Sequence, residues 1–289
     1  MIHYLPTIHS QREGFERLAS LAADAEKLHA DRLEVDFSKC GFFDANMAAS
    51  LAAVLVRIAD NLNAVEIVKV PSGIEHILRK NRFLLSYGYN AIDDVNQTTL
   101  PYRRIQLSDA GRFEDYLNRH LQGKGIPRMT EGLGKRFKQS IFEVFQNAVI
   151  HSHSRLGVFV CGQFFPQIQR LDLTIADAGV GIRTNVRNYL GTKISSKEAI
   201  RWALQEGHTT KTGPQPGGMG LQFLKEFIVL NKGKIHIASR QGFYEYRDGQ
   251  ENFQKLAADL PGTAVNLEIN TGDTSKYRLR SETSPNNIF

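Results

Sequence analysis

The 289-residue chain is 42% hydrophobic and 23% charged, a balance that leaves room for a sizeable core and, at this length, for two domains. Two widely spaced cysteines, Cys40 and Cys161, exclude a disulfide framework or a Cys/His zinc site, and the lack of an apolar run of about 18 residues or of a leader pattern points to a cytoplasmic protein with no membrane partner. The net charge of +6 divides unevenly, 10 Lys/Arg against 13 Asp/Glu in residues 1–100 and 26 against 17 in residues 101–289.

The acidic first part reads as alternating helix and strand. Phe15, Leu18, Leu21, Ala22, Ala25 and Leu28 recur at three and four, which predicts an amphipathic helix over 11–30. Residues 32–37 alternate as a strand, 38–44 form a turn, and 45–59 make a helix rich in Ala and Leu. Residues 64–70 form a strand stopped by Pro71, and a third helix runs over 73–85, ending near Gly88. This order predicts an α/β fold with crossover connections and a sheet covered by helices. With Val35-Asp36-Phe37-Ser38 leading to Phe43-Asp44-Ala45-Asn46 at its centre, the segment resembles the STAS domains of anti-sigma-factor antagonists over about 90 residues. It departs from them where they are phosphorylated. Asn46 and Met47 stand in place of the acceptor Ser and the Gly after it, and an amide accepts no phosphoryl group. The expected first domain is 1–98, closed by the polar, turn-rich stretch 93–101.

The basic part opens with a strand at 102–107 and a helix from Ser108 carrying Phe113, Tyr116, Leu117 and Leu121 on one face. After the glycine-rich stretch 123–134 comes a helix on which Arg136, Ser140, Glu143, Asn147 and His151 share a polar stripe and Phe137, Ile141, Val144, Phe145 and Ala148 the apolar face. A carboxylate can take a proton and an amide oxygen is a hard ligand suited to Mg²⁺, although such a pair alone is an ordinary solvated face. Residues 157–162 and 171–176 read as strands of a meander, the second running into Asp177-Ala178-Gly179-Val180-Gly181-Ile182. A carboxylate at a strand end suits a hydrogen bond from an exocyclic amine, and the glycines permit close backbone approach. Thr209-Thr210-Lys211 and Gly217-Gly218-Met219-Gly220-Leu221 then lead into a helix ending near Leu230, whose exposed first amides form an anion site. Strands at 233–237 and 261–269 complete an expected second domain, 99–272, and a flexible tail is expected over 273–289.

In this order the motifs resemble the GHKL ATPases, the superfamily of gyrase, the heat-shock chaperone, histidine kinases and MutL. Glu143-x-x-x-Asn147 is similar to the N box, Asp177-x-Gly179-x-Gly181 to the first glycine box, Gly218-x-Gly220-Leu221 to the second, and Gly262-Thr263 to a late Gly-Thr. The resemblance covers about 165 residues and implies a two-layer α/β sandwich of the Bergerat type that binds ATP and Mg²⁺. It implies Asn147 as the Mg²⁺ ligand, Asp177 as the partner of the adenine amine, and Glu143 as the catalytic residue that polarises water or a hydroxyl. Asn147, Asp177, Gly179, Gly181, Ile182, Thr210, Lys211, Gly218, Gly220, Leu221 and Thr263 would form the nucleotide-binding set, beneath a mobile lid over 182–216 that contains Trp202. His151 and His153 read as polar residues following the N box rather than as a metal pair.

Histidine autokinase activity is not expected, because His120 lacks the sequence context of a phosphoacceptor. The transducer domain and catalytic lysine of the topoisomerase and MutL branches are also missing after Ile269. The anti-sigma-factor kinase branch is the nearest. Two functions follow from the resemblance: an ATPase or Ser/Thr protein kinase in signalling by partner switching, or an ATP-gated binding switch with little catalysis. In the second, the STAS-like domain docks intramolecularly or on a regulatory or STAS-type protein, and a homodimer is compatible with both. Nucleic acid is not an expected partner, since the basic residues cluster only at Lys135/Arg136/Lys138 and Lys276/Arg278/Arg280.

Overall fold

A computed structural model describes residues 1–210 and 219–282. Helices and strands are mixed along the chain, as expected of an α/β protein. The first part contains β1 (Ile2–Tyr4), α1 (Arg12–Asp24), β2 (Arg32–Asp36), α2 (Ala48–Asp60), β3 (Ala64–Val68) and α3 (Ser72–Lys80). Its three strands form a parallel sheet in the order β1-β2-β3, with Val35 opposite His3 on one side and Ile67 on the other. The expected helix over 73–85 breaks at Asn81. That side chain accepts a hydrogen bond from the Phe83 N–H (3.0 Å), Arg82 takes a left-handed φ of 70°, and a 3-10 turn follows over Phe83–Tyr87. Asn and Asp side chains that bond nearby backbone compete with helix continuation in this way.

The second part contains β4 (Thr99–Ile105), α4 (Ala110–His120), β5 (Arg128–Met129), α5 (Glu131–His151), β6 (Val158–Phe165), β7 (Arg170–Asp177), α6 (Ile182–Leu190), α7 (Ser196–Ala203), α8 (Met219–Asn231), β8 (Lys234–Arg247), β9 (Gln250–Asn270) and β10 (Lys276–Tyr277). Five strands form an antiparallel sheet in the order β4-β6-β7-β9-β8. The last two strands are far longer than the expected 233–237 and 261–269. Arg247 pairs with Gln250 across a two-residue turn, Asp248-Gly249, in which both residues have positive φ (51° and 80°). That geometry matches the twist of a hairpin, and Asp-Gly is the sequence that favours it.

The expected flexible tail starts as ordered chain. Lys276 and Tyr277 pair in parallel with Arg128 and Met129, and Glu282 accepts a hydrogen bond from the Thr130 hydroxyl at 2.6 Å, so residues 273–282 close over the start of α5.

The five-stranded sheet is buried on both faces, where a two-layer sandwich would leave one open. On one face Leu173, Ile175, Val265 and Leu267 pack with Phe137, Ile141 and Phe145 of α5 and with Leu224 and Ile228 of α8. On the other, Phe159, Cys161, Ala176, Ala238 and Ala264 join one continuous core with Phe15 and Leu18 of α1, α2 and the three-stranded sheet. The eight residues Ala48–Leu55 are all buried, because α2 lies between the two sheets.

Polar residues cross that apolar seam. The Asn46 amide, fully buried, donates to Thr174 Oγ1 (2.9 Å) and Asn266 Oδ1 (2.9 Å), and Thr174 donates to the same Asn266 oxygen (2.9 Å). Asn266 continues to His236 Nδ1 (3.2 Å), whose Nε2 meets Glu245 at 3.1 Å. Beside this chain Arg170 lies between Asp44 (3.2 Å) and Asp172 (3.1 Å). Asn46→Ala removes a donor shared by two buried oxygens. It should cost about 1–3 kcal/mol, read as a lower denaturant midpoint with an unchanged m-value. The two parts should still unfold in one transition, and two separated transitions in wild type would contradict the shared core.

Candidate functional site

The central strands and α5 place most of the expected site residues around one cavity. α5 starts at Glu131, ahead of the expected boundary, because the Thr130 hydroxyl accepts from the Leu133 N–H (3.4 Å) as an N-cap. Its helical period then sets Val144, Asn147, Ala148 and His151 along one wall. Ile175, Asp177, Ile237, Thr263 and Val265 come from the sheet, Ile182, Asn185 and Val186 from α6, Trp202 and Ala203 from α7, and Leu221 from α8; His208, Thr209 and Thr210 close the rim. The cavity volume is about 150 Å³. A cavity of that size accepts a single aromatic ring. A larger ligand would place a flat ring inside and extend outward.

Asp177 is the buried charge at this site, with 5% of its surface exposed. Its Oδ1 accepts from the Gly179 N–H (2.8 Å), and the Thr263 backbone supplies a second hydrogen bond. Burial outweighs both bonds and pushes the carboxyl up to about 7.

The glycines around it are explained by protein–protein approach. A Cβ on Gly179 would fall 2.0 Å from the Ser152 carbonyl oxygen, and one on Gly262 2.0 Å from that of Asp177. The turn after β7 is thereby clasped to the end of α5, where the Val180 N–H donates to Ser152 O at 2.9 Å. Gly181 has a φ of 78° and precedes α6, whose Ile182 N–H donates to Ser239 Oγ (2.9 Å). Gly179 and Gly181 therefore shape the wall without lining the cavity.

Glu143 and Asn147 find different surroundings despite sharing a stripe. Asn147 faces the cavity, whereas Glu143 reaches α8, its Oε2 accepting from the Gly220 N–H at 2.8 Å. A carboxylate there satisfies an otherwise unpaired first-turn amide at the positive end of a helix. A Cβ on Gly220 would lie 2.5 Å from that oxygen, so the contact needs glycine. Lys211 and Gly218 lie outside the described residues.

The described part of the expected lid is largely helical. α7 is capped by Ser195 Oγ, which accepts from the Glu198 N–H (3.2 Å), and it packs on β8 where Gly242 meets Ser196 and Ile200. The Trp202 ring lies 4.6 Å from His208 and 5.6 Å from Tyr189. Asn185, which bridges the His151 carbonyl (2.8 Å) and His153 Nε2 (3.2 Å), was not singled out from the sequence, and neither was His208. An Asn three residues into a helix after a glycine turn was the available signal for the first.

No cluster of three His, Cys, Asp or Glu residues suited to a metal occurs among the described residues. Asn147 offers one hard oxygen at the cavity wall. That donor set fits a Mg²⁺ ion arriving with phosphates, which needs only one or two protein oxygens. No helix among the described residues is long and apolar enough to cross a membrane. In comparisons with known proteins, no family model matches the chain and no curated protein matches it.

Asp177→Asn provides a stability test of the site. Because the folded carboxyl titrates near 7 and an unfolded one near 3.8, the native state holds the extra proton between these values, and the stability it contributes at low pH is lost as pH rises through 7. Removing the charge should stabilise the fold by on the order of 2 kcal/mol at pH 8 and by little at pH 4. Denaturant melts of both proteins at the two pH values check this; equal gains at both would show that Asp177 is not the group responsible.

Proposed function

We propose that the chain is a GHKL-type protein that binds Mg-ATP with its base against Asp177, fused to a STAS-like amino-terminal unit, and that it acts in signalling by partner switching. The observation that carries this reading is a buried carboxylate in a ring-sized cavity with apolar walls, flanked by Asn147 and opening beside the first turn of α8. Ile175, Val265 and Leu221 suit the faces of a flat base, and Asp177 with Thr263 suits its amino edge. Phosphates running toward α8 would meet the positive helix end, where Glu143 now occupies the Gly220 amide. Mg²⁺, when bound, would neutralise phosphate charge from the Asn147 side.

Glu143 is the group suited to proton transfer. In its present contact it occupies the Gly220 amide, where a phosphate oxygen would also be favoured. An anion arriving there would compete with the carboxylate and release it to polarise water or an acceptor hydroxyl, which supports hydrolysis or Ser/Thr phosphorylation coupled to nucleotide entry.

The second reading, an ATP-gated binding switch, is favoured by the seam around Asn46. The STAS-like unit is already docked on the sheet of the nucleotide-binding unit, with residue 46 fully buried. Docking in this reading is intramolecular, and a partner would engage the exposed outer surface.

Two measurements test the proposal. Mg-ATP titrated into the protein should release heat, raise the thermal midpoint and change the emission of Trp202, the only tryptophan, which lines the cavity. Asn147→Ala should weaken the response to Mg-ATP about tenfold or more, a loss of roughly 1.4 kcal/mol, while sparing metal-free nucleotide. Neither heat nor a midpoint shift in wild type would end the nucleotide reading. In the second measurement, Glu143→Ala should reduce phosphate release or transfer at least about 100-fold and leave ATP binding intact or tighter, because the competing carboxylate is gone. Binding lost in proportion to turnover would mean that Glu143 only props α8.

A further inference from the structure

A second cavity, of about 510 Å³, opens at the seam between the two sheets and shares no residue with the one around Asp177. Val56 of α2, Val65 of the edge strand β3 and Tyr87 line it from the first part, and Tyr102 of the edge strand β4 from the second. Arg82, Arg103 and Arg104 also line it, and among the described residues no Asp or Glu does. Arg104 is oriented by a bond from its Nε to the Leu156 carbonyl (2.7 Å).

The charges here are left unbalanced. Arg79, one turn before Arg82, pairs with Glu75 at 2.9 Å, yet among the described residues Arg82, Arg103 and Arg119 make no ion pair. Burial, together with Arg82 and Arg119 nearby, holds the Arg103 guanidinium below its usual value. Arg82 itself occupies a left-handed conformation (φ 70°), which a non-glycine residue adopts at some cost. Like charges gathered at a solvent-facing cleft repel one another, and a bound anion would offset that repulsion.

We propose that this cleft is a second ligand site, for a small phosphate-bearing anion with an apolar or aromatic portion, gripped by Arg82 and Arg103 against Tyr87 and Tyr102. The volume lies within the range of small-molecule sites. Forked guanidinium groups match phosphate geometry and stack on aromatic faces. Since the wall comes from both parts of the chain, such a ligand would fasten the STAS-like unit to the edge of the five-stranded sheet and stabilise the joined arrangement by mass action.

The test uses the full chain at about 0.15 M salt, with inorganic pyrophosphate and 1-naphthyl phosphate as probes and uncharged 1-naphthol as the control. Calorimetry should show 1-naphthyl phosphate binding more tightly than pyrophosphate, and naphthol not binding. The double variant Arg82→Gln/Arg103→Gln should lose affinity about tenfold or more while melting at the same temperature or higher, because repulsion is relieved. Arg103→Lys should keep part of the affinity, and Asp177→Asn should leave it unchanged, which separates this cleft from the nucleotide cavity. The proposal is overturned if neither phosphate probe binds, if the double variant binds as wild type does, or if it melts several degrees lower, which would make the arginines structural. Binding of a decaglutamate peptide without either phosphate probe would also overturn it, in favour of an acidic protein partner.

Discussion

The structure depends on both faces of the five-stranded sheet being buried at once. Strands β7 and β9 alternate strictly, so Leu173, Ile175, Val265 and Leu267 pack against α5 and α8 while Thr174 and Asn266 point the other way, at Asn46. A slip of one residue in either strand would exchange the two sets between the faces, turning Thr174 or Asn266 into the apolar core against α5 and α8. The polar contacts around Asn46 reinforce that register, because a buried amide and hydroxyl left unpaired cost more than their bonds return. The amino-terminal unit is thus the second wall of the sheet rather than a tethered appendage.

The same register delivers Asp177. It ends β7 opposite Thr263 of β9 and is held by the turn that Gly179 and Gly262 allow to close. Its neighbour Ala176 packs into the core shared with α2, so the strand carrying the site carboxylate is fixed from behind by the amino-terminal unit. Stability and site geometry are linked through one strand. This is a physical reason for the two units to travel in one chain, whatever the cavity beside Asp177 binds.

Much of this was legible in the sequence, and the failures have identifiable causes. The helix carrying Glu143 and Asn147, the strand ending at Asp177 and the parallel arrangement around residues 32–68 follow from periodicity. That periodicity survives because each element presents a face to a core. The helix expected over 73–85 failed at Asn81, whose side chain offers the backbone another partner. The long hairpin was missed although Asp248-Gly249 marked its turn, because Phe243 and Tyr244 are both buried, one in each core, and the register shifts around Arg240, so no simple alternation marks the extension. What periodicity could not reveal is which partner a polar side chain finds. Glu143 and Asn147 share a stripe on one helix, and only packing against α8 turns one to a backbone amide and the other to a cavity.

That divergence bears on how such a site could be gated. A carboxylate resting on the first turn of a helix is a built-in anion, and the amide it covers is the group a phosphate oxygen would seek. The contact also forbids a side chain at Gly220, so the helix terminus and the carboxylate are matched to one another. An anion at that terminus must either share the amide or displace Glu143, and displacement converts a structural cap into a free base beside the bound group. Entry of the ligand and readiness for proton transfer would then be one event, with no separate conformational trigger needed. The Asn46 seam holds the sheet in place beneath it.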